Sequence, residues 1–151
     1  MNDIEKIVWG ALLGILVYVI GQIISKFFIE SLYELRKTIG EIRFNLLFHG
    51  PTILTPEARS KETSGAARDA LLKNSSDLFA KLHAIPLYVV VPYISFGTLP
   101  SNKDIKDVAV QLRALSTYMH EKDDKAYKSL DEIRGRIAKI ERLLRYESLD
   151  S

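Results

Sequence analysis

An uncharged apolar run begins almost at the N-terminus, where residues 7–24 read IVWGALLGILVYVIGQII. At about 1.5 Å per residue, a helix of this run covers roughly 27 Å, which is close to the hydrocarbon thickness of a bilayer. Apolar residues at positions 27–29 extend the run past Lys26. The sequence therefore predicts a transmembrane helix, and we assign residues 1–29 to an N-terminal anchor.

The flanks of the run favour a retained anchor over a cleaved signal peptide. A signal peptide has a basic beginning, a shorter apolar core and a small-x-small cleavage site. Here the first six residues, MNDIEK, carry two acids and one lysine, and Lys26-Phe27-Phe28 stands where a cleavage site would be. We therefore expect the segment to stay in the mature protein.

The orientation follows from the distribution of cations around the run. Only Lys6 precedes it, whereas four cations follow it closely: Lys26, Arg36, Lys37 and Arg43. Because Lys and Arg hold their side of a span in the cytoplasm, we expect a single-pass protein of the cell inner membrane, with its N-terminus outside and its C-terminal domain cytoplasmic. The chain has no cysteine, which fits a reducing compartment.

The remaining residues, 30–151, suffice for one small helical domain. Apolar residues spaced by fours and threes predict a helix over residues 30–50 that continues from the span and ends at His49-Gly50-Pro51, with Gly50 as a left-handed C-cap. Further helices are predicted over 56–84, 101–119 and 125–147, the first with Pro56 at its first position. The predicted fold is all-α, a long N-terminal transmembrane helix continuing into a small cytoplasmic helical bundle.

The last predicted helix carries an apolar seam made of Leu130, Ile133, Ile137, Ile140 and Leu144. This seam has two interpretations. It can pack inside the bundle of its own chain, which the short connections favour. It can also form a parallel coiled coil with a second chain, where Arg136 and Glu141 would pair.

The region between the second and third cytoplasmic helices, residues 86–100, reads PLYVVVPYISFGTLP. It is too short to span a bilayer and contains three prolines. Tyr88, Tyr93 and Phe96 could contact the headgroup region of the membrane, where rings with a polar tip are favoured. Alternatively, the segment plugs the bundle.

Within the span, Gly10 and Gly14 form a GxxxG pair, and Gly21 with Ser25 repeats the small-xxx-small spacing. Small residues let two membrane helices approach closely. We therefore expect these four positions to pack against another helix, which favours a homo-oligomer.

The sequence contains no catalytic pattern that would indicate an enzyme. His49, His83 and His120 lie far apart without metal-ligand spacing, and no nucleotide-binding glycine pattern or nucleophile elbow stands in a convincing context. We expect no enzymatic activity, no metal and no cofactor. The net charge of +2 is too small for a nucleic-acid binder, so we expect no nucleic-acid partner.

Several short motifs resemble those of a family of small uncharacterised bacterial single-pass membrane proteins. The resemblance lies in the N-terminal span followed by ARDAL at 67–71, AIPLY at 84–88, LPS at 99–101, Ile105, Leu112 and Leu115-Ser116. It implies an N-terminal transmembrane helix with a cytoplasmic helical domain, and it implies no particular activity.

Two classes of function fit these observations. The first is a membrane-anchored interaction or regulatory module, whose partners are the lipid bilayer, a second copy of itself and an unknown cytoplasmic protein. The second is a membrane-perturbing effector of a toxic or phage-defence system, whose associated spans would breach the bilayer.

Overall fold

The computed structural model describes residues 2–86, 88, 91, 99–120 and 123–144. All regular structure in these residues is helical, so the predicted all-α class is confirmed. The helices are α1 (Asp3–Ile24), α2 (Glu30–Phe48), α3 (Gly50–Leu54), α4 (Lys61–Ala84), α5 (Asn102–Tyr118), α6 (Asp123–Lys128) and α7 (Leu130–Leu143). A π-helical turn, Ser25–Ile29, lies between α1 and α2, and a 3-10 turn, Pro56–Ala58, follows α3.

The predicted continuity of the apolar N-terminal helix with the helix that follows it is confirmed. The backbone is helical without a break from Asp3 to Phe48. At the junction, the N–H of Glu30 donates to the carbonyl of Ser25, an i to i+5 hydrogen bond that marks the π turn. The two halves differ in burial, because α1 has no buried residue whereas α2 buries Leu35, Thr38, Ile39 and Ile42.

The bundle packs α2 against α4, α4 against α5, and α5 against α7. Cross-helix hydrogen bonds fix the direction of the first pair, because Glu34 near the start of α2 meets Lys81 near the end of α4. Further along, Asn45 Nδ2 donates to Asn74 Oδ1 at 3.1 Å. The pairing shows that α2 and α4 are antiparallel, so the C-terminal end of α4 returns to the junction with α1.

A single apolar core holds the bundle together. Its largest fully buried side chains come from every long helix after α1 and from α3: Leu35, Ile42, Ile53, Leu71, Leu78, Ile105, Val108, Leu112, Leu115, Ile133 and Ile140, together with Met119 just after α5. Each such side chain gains roughly 1.5–3 kcal/mol on burial. The core contains no residue of α1.

Two predicted helix ends differ from the structure. The helix predicted over 56–84 begins at Lys61 instead, because Ser60 Oγ accepts from the Thr63 N–H at 3.0 Å and supplies the N-cap. Pro56 opens the 3-10 turn. The predicted left-handed cap at Gly50 is wrong. His49, with φ −90° and ψ 1°, ends α2, and Gly50 is the first residue of α3.

The predicted helix over 125–147 is divided in the structure. Its first part is α6, and α7 begins after Ser129, whose φ is −85° and ψ is −8°. Ser129 Oγ donates to the Lys125 carbonyl at 3.0 Å, which satisfies that carbonyl at the end of α6. Residues 145–147 of the predicted helix lie outside the described residues.

The segment between α4 and α5 enters the core where it is described. Tyr88, Val91 and Leu99 are each at most 3% exposed, and the Tyr88 hydroxyl donates to the Pro100 carbonyl at 2.8 Å. The predicted membrane contact of Tyr88 is therefore wrong for this structure, because its ring is covered by protein and its hydroxyl is satisfied there. Tyr93 and Phe96 lie outside the described residues.

The core predicts a large difference between two neighbouring substitutions in α5. Leu112 is fully buried, so Leu112→Ala should lower the free energy of unfolding by about 2–5 kcal/mol through lost burial and a residual cavity. Val110 is 57% exposed, and Val110→Ala should change that free energy by less than about 1 kcal/mol. Urea unfolding of the full chain in nanodiscs, followed by circular dichroism, measures both. Equal effects of the two substitutions would contradict the described core.

Candidate functional site

The most unusual surface of the molecule is the whole circumference of α1. Fourteen large apolar side chains between Ile4 and Ile24 are exposed, by 45% or more each. None of the apolar window of this helix is buried, although the helix is long and apolar enough to cross a membrane. A core helix of a soluble bundle would bury one face at least. We therefore take α1 as the candidate functional site, and we call its outer surface the anchor surface.

Polar groups close the N-terminal end of the anchor surface. Glu5 Oε2 accepts from the Asn2 N–H at 2.9 Å, and Lys6 Nζ lies 3.1 Å from Asp3 Oδ1. These contacts satisfy one of the free amides that every helix start leaves, and they pair two of the charges. The polar turn contrasts with the uncharged residues that follow it.

The four predicted packing positions lie on the anchor surface. Gly10, Gly14 and Gly21 are exposed, and a Cβ added to any of them would meet no described atom of this chain within 4 Å. Ser25 is the first residue of the π turn. With about 100° of rotation per residue, these four positions fall within a sector of about 60°. They thus form one narrow face that no part of the bundle covers.

A cavity of about 350 Å³ lies where α1 gives way to α2. It is open to solvent and is lined by Lys26, Phe27, Glu30, Ser31, Glu34, Lys81 and Ala84. Its walls come from the π turn, the start of α2 and the end of α4. The cavity therefore marks the place where the bundle meets the anchor.

An ion pair joins α2 to α4 at the edge of this cavity. Lys81 Nζ lies 3.1 Å from Glu34 Oε2, and both side chains are 38% exposed. The hydrogen bond from Lys81, with the positive charge of the same group, lowers the pKa of the Glu34 carboxyl. Sequence reasoning missed this pair, because the two residues are 47 positions apart and neither stands in a motif.

The predicted seam of the last helix faces its own chain. Ile133, Ile140 and Leu144 are buried in the core, Ile137 packs against it, and Leu130 is half-buried. This arrangement corresponds to the intramolecular interpretation and leaves little of the seam for a second chain.

Polar contacts also hold α7 in place. Arg136 donates to Gln111 Oε1 and to Glu132 Oε1, each at 2.7 Å, and lies over the Tyr118 ring. Hydrogen bonds from Tyr118 and Arg136 lower the pKa of the Glu132 carboxyl, whereas burial raises the pKa of the Tyr118 hydroxyl. Arg136 thus bonds within its own chain, whereas the coiled-coil alternative pairs it with Glu141 of a second chain. The contacts fasten α7 to α5.

At the end of the bundle away from α1, Arg59 joins helix ends by hydrogen bonds to backbone carbonyls. The Arg59 guanidinium donates to the carbonyls of Thr52, Ile53 and Tyr118 at 3.0, 2.9 and 3.2 Å. These bonds connect the ends of α3 and α5 through the residue that follows the 3-10 turn. Tyr127 adds a link from α6 by donating to Glu57.

In the part of the chain that the structure describes, no group of three His, Cys, Asp or Glu side chains is placed to hold a metal ion. His83 Nδ1 lies 2.8 Å from the Phe79 carbonyl, one turn earlier on α4, and the His49 ring meets Phe48 edge to face. His83 and His49 therefore make local contacts near helix ends. The described geometry of α1 shows a surface suited to an apolar environment.

No protein-family model, curated protein or solved structure matches this chain. The resemblance to small bacterial membrane proteins therefore stays a prediction. The structure itself supports a coarser statement, that the chain has one long apolar N-terminal helix of a kind consistent with a single membrane span.

The Glu34 and Lys81 pair predicts a pH dependence of stability. Because folding lowers the pKa of Glu34 below its ordinary value of 4.5, the pair stabilises the fold above that pH and loses its contribution as the pH falls through the lowered pKa. Glu34→Gln should lower the melting temperature slightly at pH 7 and should reduce the loss of stability between pH 5 and pH 3. Melting curves at both ends of this interval measure the effect.

Asp69→Asn is the matched control, since its carboxyl pairs with its exposed neighbour Arg68 on the same helix. It should leave the pH profile close to that of the unchanged chain. A Glu34→Gln profile identical to the unchanged one would contradict the described ion pair.

Proposed function

We propose that this chain is a membrane-anchored interaction module, in which α1 spans the bilayer and the helical bundle stands in the cytoplasm. The single observation that supports this proposal most is the separation between an uncovered apolar α1 and a bundle whose core contains no residue of α1. An anchor and a self-contained domain are the two parts that such a module needs.

The energy of the anchor surface favours insertion into lipid. Full burial of a large apolar side chain gains roughly 1.5–3 kcal/mol, so the fourteen on α1, which are 45–75% exposed, would together gain roughly 12–24 kcal/mol in hydrocarbon. This is at least comparable with the roughly 5–15 kcal/mol that stabilises an ordinary domain. A helix left in water with this surface would drive aggregation.

The charges near the junction support the orientation. Lys26 lies in the π turn, and Arg36, Lys37 and Arg43 lie on α2 within one short stretch after the span. Lys6 at the other end is paired with Asp3. By the positive-inside rule, the bundle side is cytoplasmic and the N-terminus lies outside.

Self-association and a soluble partner complete the proposal. The narrow face of Gly10, Gly14, Gly21 and Ser25 is open for a second α1, because no side chain of the described residues comes within 4 Å of where a Cβ on the three glycines would lie. The bundle would then present its outer surface, in two or more copies, to a cytoplasmic protein.

Membrane insertion and topology can be tested on the full chain expressed in a Gram-negative bacterium. Because the chain has no cysteine, Asn2→Cys and Gly135→Cys provide one unique thiol on each side of the span. The protein should stay in the membrane pellet at high pH. A maleimide that cannot cross the inner membrane should label Asn2→Cys in intact cells and Gly135→Cys only after lysis.

The matched controls are two pairs of lysine substitutions. Leu12→Lys with Leu16→Lys adds two charges to the middle of the span, each costing about 2.5–3.5 kcal/mol there, and should release the protein from the pellet. Val110→Lys with Thr117→Lys places the same charges on exposed positions of α5 and should not. Extraction of the unchanged protein at high pH, or the reverse labelling pattern, would overturn the proposal.

The second candidate function is a membrane-perturbing effector, and it is favoured by one observation. Gln22 is a strongly polar side chain exposed on an otherwise apolar stretch of α1, where associated helices could bring several copies together. Such a cluster could admit water and ions.

Membrane potential separates the two functions. As an interaction module, the full chain should leave the potential and the growth rate of expressing cells within the range of the Leu12→Lys and Leu16→Lys control. The effector function requires depolarisation by the unchanged chain that the Gly10→Ile and Gly14→Ile variant abolishes. A potential-sensitive dye measures the difference, and depolarisation with that dependence would replace the first function by the second.

A further inference from the structure

We call the narrow face of Gly10, Gly14, Gly21 and Ser25 the glycine face of α1. The π turn determines which side of α2 lies in line with this face. An i to i+5 bond encloses one residue more than the α-helical bond, so every residue after the turn is rotated by about 100° relative to an uninterrupted α-helix. The structure shows this bond between Glu30 and Ser25.

Without the π turn, the glycine face would run into the bundle. At about 100° of rotation per residue, Leu32 and Ile39 would then lie in the same sector of about 60° around the helix axis as the glycine face. Ile39 is buried in the core of the bundle, and Leu32 packs against the same core. In a plain α-helix, the bundle would therefore obstruct a second chain that followed the glycine face.

With the additional residue, the same sector continues on the free side of α2. The residues that then fall within it are Tyr33, Gly40, Phe44 and Leu47, again within about 60°. Tyr33 is 67% exposed, Phe44 62% and Leu47 51%, and Gly40 is exposed with open space around it. The exposures thus agree with the count, and one continuous uncovered stripe runs from Gly10 to Leu47.

We propose that a second copy of this chain packs in parallel along this stripe, so that α2 as well as α1 forms the interface of a homodimer. The inference deepens the proposed function and rests on it, because insertion of α1 in one orientation is what makes the two copies parallel. We call the stretch Tyr33, Lys37, Gly40, Phe44, Leu47 and Phe48 the α2 stripe.

The chemistry of the α2 stripe fits a second copy. From Tyr33 to Leu47 its positions are spaced by four and three residues, as in a two-stranded coiled coil. Lys37 and Phe44 then occupy heptad position a, and Gly40 and Leu47 occupy heptad position d. Arg36 then stands at g and Glu41 at the following e, so each Arg36 would face Glu41 of the other copy. A lysine at one a position costs stability but restricts the register and the number of chains.

The stripe is already ordered at its far end. The rings of Phe44 and Phe48 stack at 5.7 Å with an interplanar angle of 17°, although both rings face solvent. Large aromatic side chains that are ordered before binding provide much of the energy of protein interfaces.

The exposed apolar area of the α2 stripe is smaller than that of a stable interface, so both helices are needed. Tyr33, Phe44 and Phe48 are each about two-thirds exposed, and with 150–250 Å² per ring they offer roughly 400 Å² per chain. A stable interface needs about 800 Å² per partner. The α2 stripe supplies about half, and the glycine face of α1 would supply the remainder.

Disulfide trapping of the full chain in native membranes tests this inference. Three glycines with open space around them give matched variants, namely Gly14→Cys on α1, Gly40→Cys on the α2 stripe and Gly135→Cys on α7. In a parallel two-fold dimer, identical positions on the axis face each other. Mild oxidation with copper phenanthroline should therefore trap Gly40→Cys as a dimer at least tenfold more than Gly135→Cys.

The outcomes separate this inference from the proposed function. Trapping of Gly14→Cys without Gly40→Cys would overturn the inference while leaving a self-associating anchor. Equal trapping of Gly40→Cys and Gly135→Cys would indicate random collision and would also overturn it. Protein that does not fractionate with membranes would overturn the proposed function itself.

An insertion and a deletion at the π turn test the register. One alanine inserted after Phe27 rotates the α2 stripe by about 100° away from the glycine face, whereas deletion of Phe27 removes the extra residue and leaves an uninterrupted helix in which the stripe stays in line with that face. Trapping of Gly40→Cys should therefore fall to the level of Gly135→Cys in the inserted chain and persist in the deleted one, and Gly14→Cys should be trapped in both. Unchanged trapping of Gly40→Cys in the inserted chain would contradict the proposed register.

Discussion

The rest of the structure depends on one constraint: a single unbroken helix is uncovered over its first half and packs against the core of the bundle over its second half. Over α1 every side of the helix is apolar and uncovered, whereas over α2 one side is fixed by the core of the bundle. In a straight α-helix the directions of the two faces depend on each other, because each residue is rotated by about 100° from the one before it. The additional residue in the π turn at Ser25–Ile29 changes this relation, because it rotates α2 relative to α1.

The described core of the bundle contains no residue of α1. This core is drawn from α2, α3, α4, α5 and α7, and polar contacts join the helices at both ends, Lys81 with Glu34 near the junction and Arg59 with three carbonyls at the far end. In the proposed module, such a domain would transmit the arrangement of the anchors to a protein that binds its outer surface. This separation of parts is what the proposed interaction module requires.

Much of the fold could be predicted from hydrophobic periodicity. The all-α class, the continuity of the apolar N-terminal helix with α2 and the seam of α7 all follow from spacings of three and four. The helix ends were less predictable, since α4 begins at Lys61 after its cap Ser60 and not at Pro56, and His49 and not Gly50 caps the end of α2. Caps depend on local hydrogen bonds that compete closely, and several residues in each region could have supplied them.

The features that the sequence could not indicate are those that join distant parts of the chain. Tyr88 seemed suited to a membrane surface by its chemistry, but its hydroxyl finds the Pro100 carbonyl inside the core. The π turn has no composition of its own, because the apolar pattern of residues 25–29 is compatible with an ordinary helix. Only the three-dimensional register shows that the glycines of α1 and the aromatic residues of α2 share one side.

The central claim is that α1 lies in hydrocarbon and that the chain enters water across the π turn. A nitroxide scan of single-cysteine variants over residues 8–44 in nanodiscs tests it most directly, by comparing collision with oxygen, which concentrates in lipid, and with a water-soluble nickel complex. Labels on α1 should collide with oxygen and not with the nickel complex, and the preference should reverse between residues 25 and 33. Labels at residues 12–20 that collide with the nickel complex would contradict it.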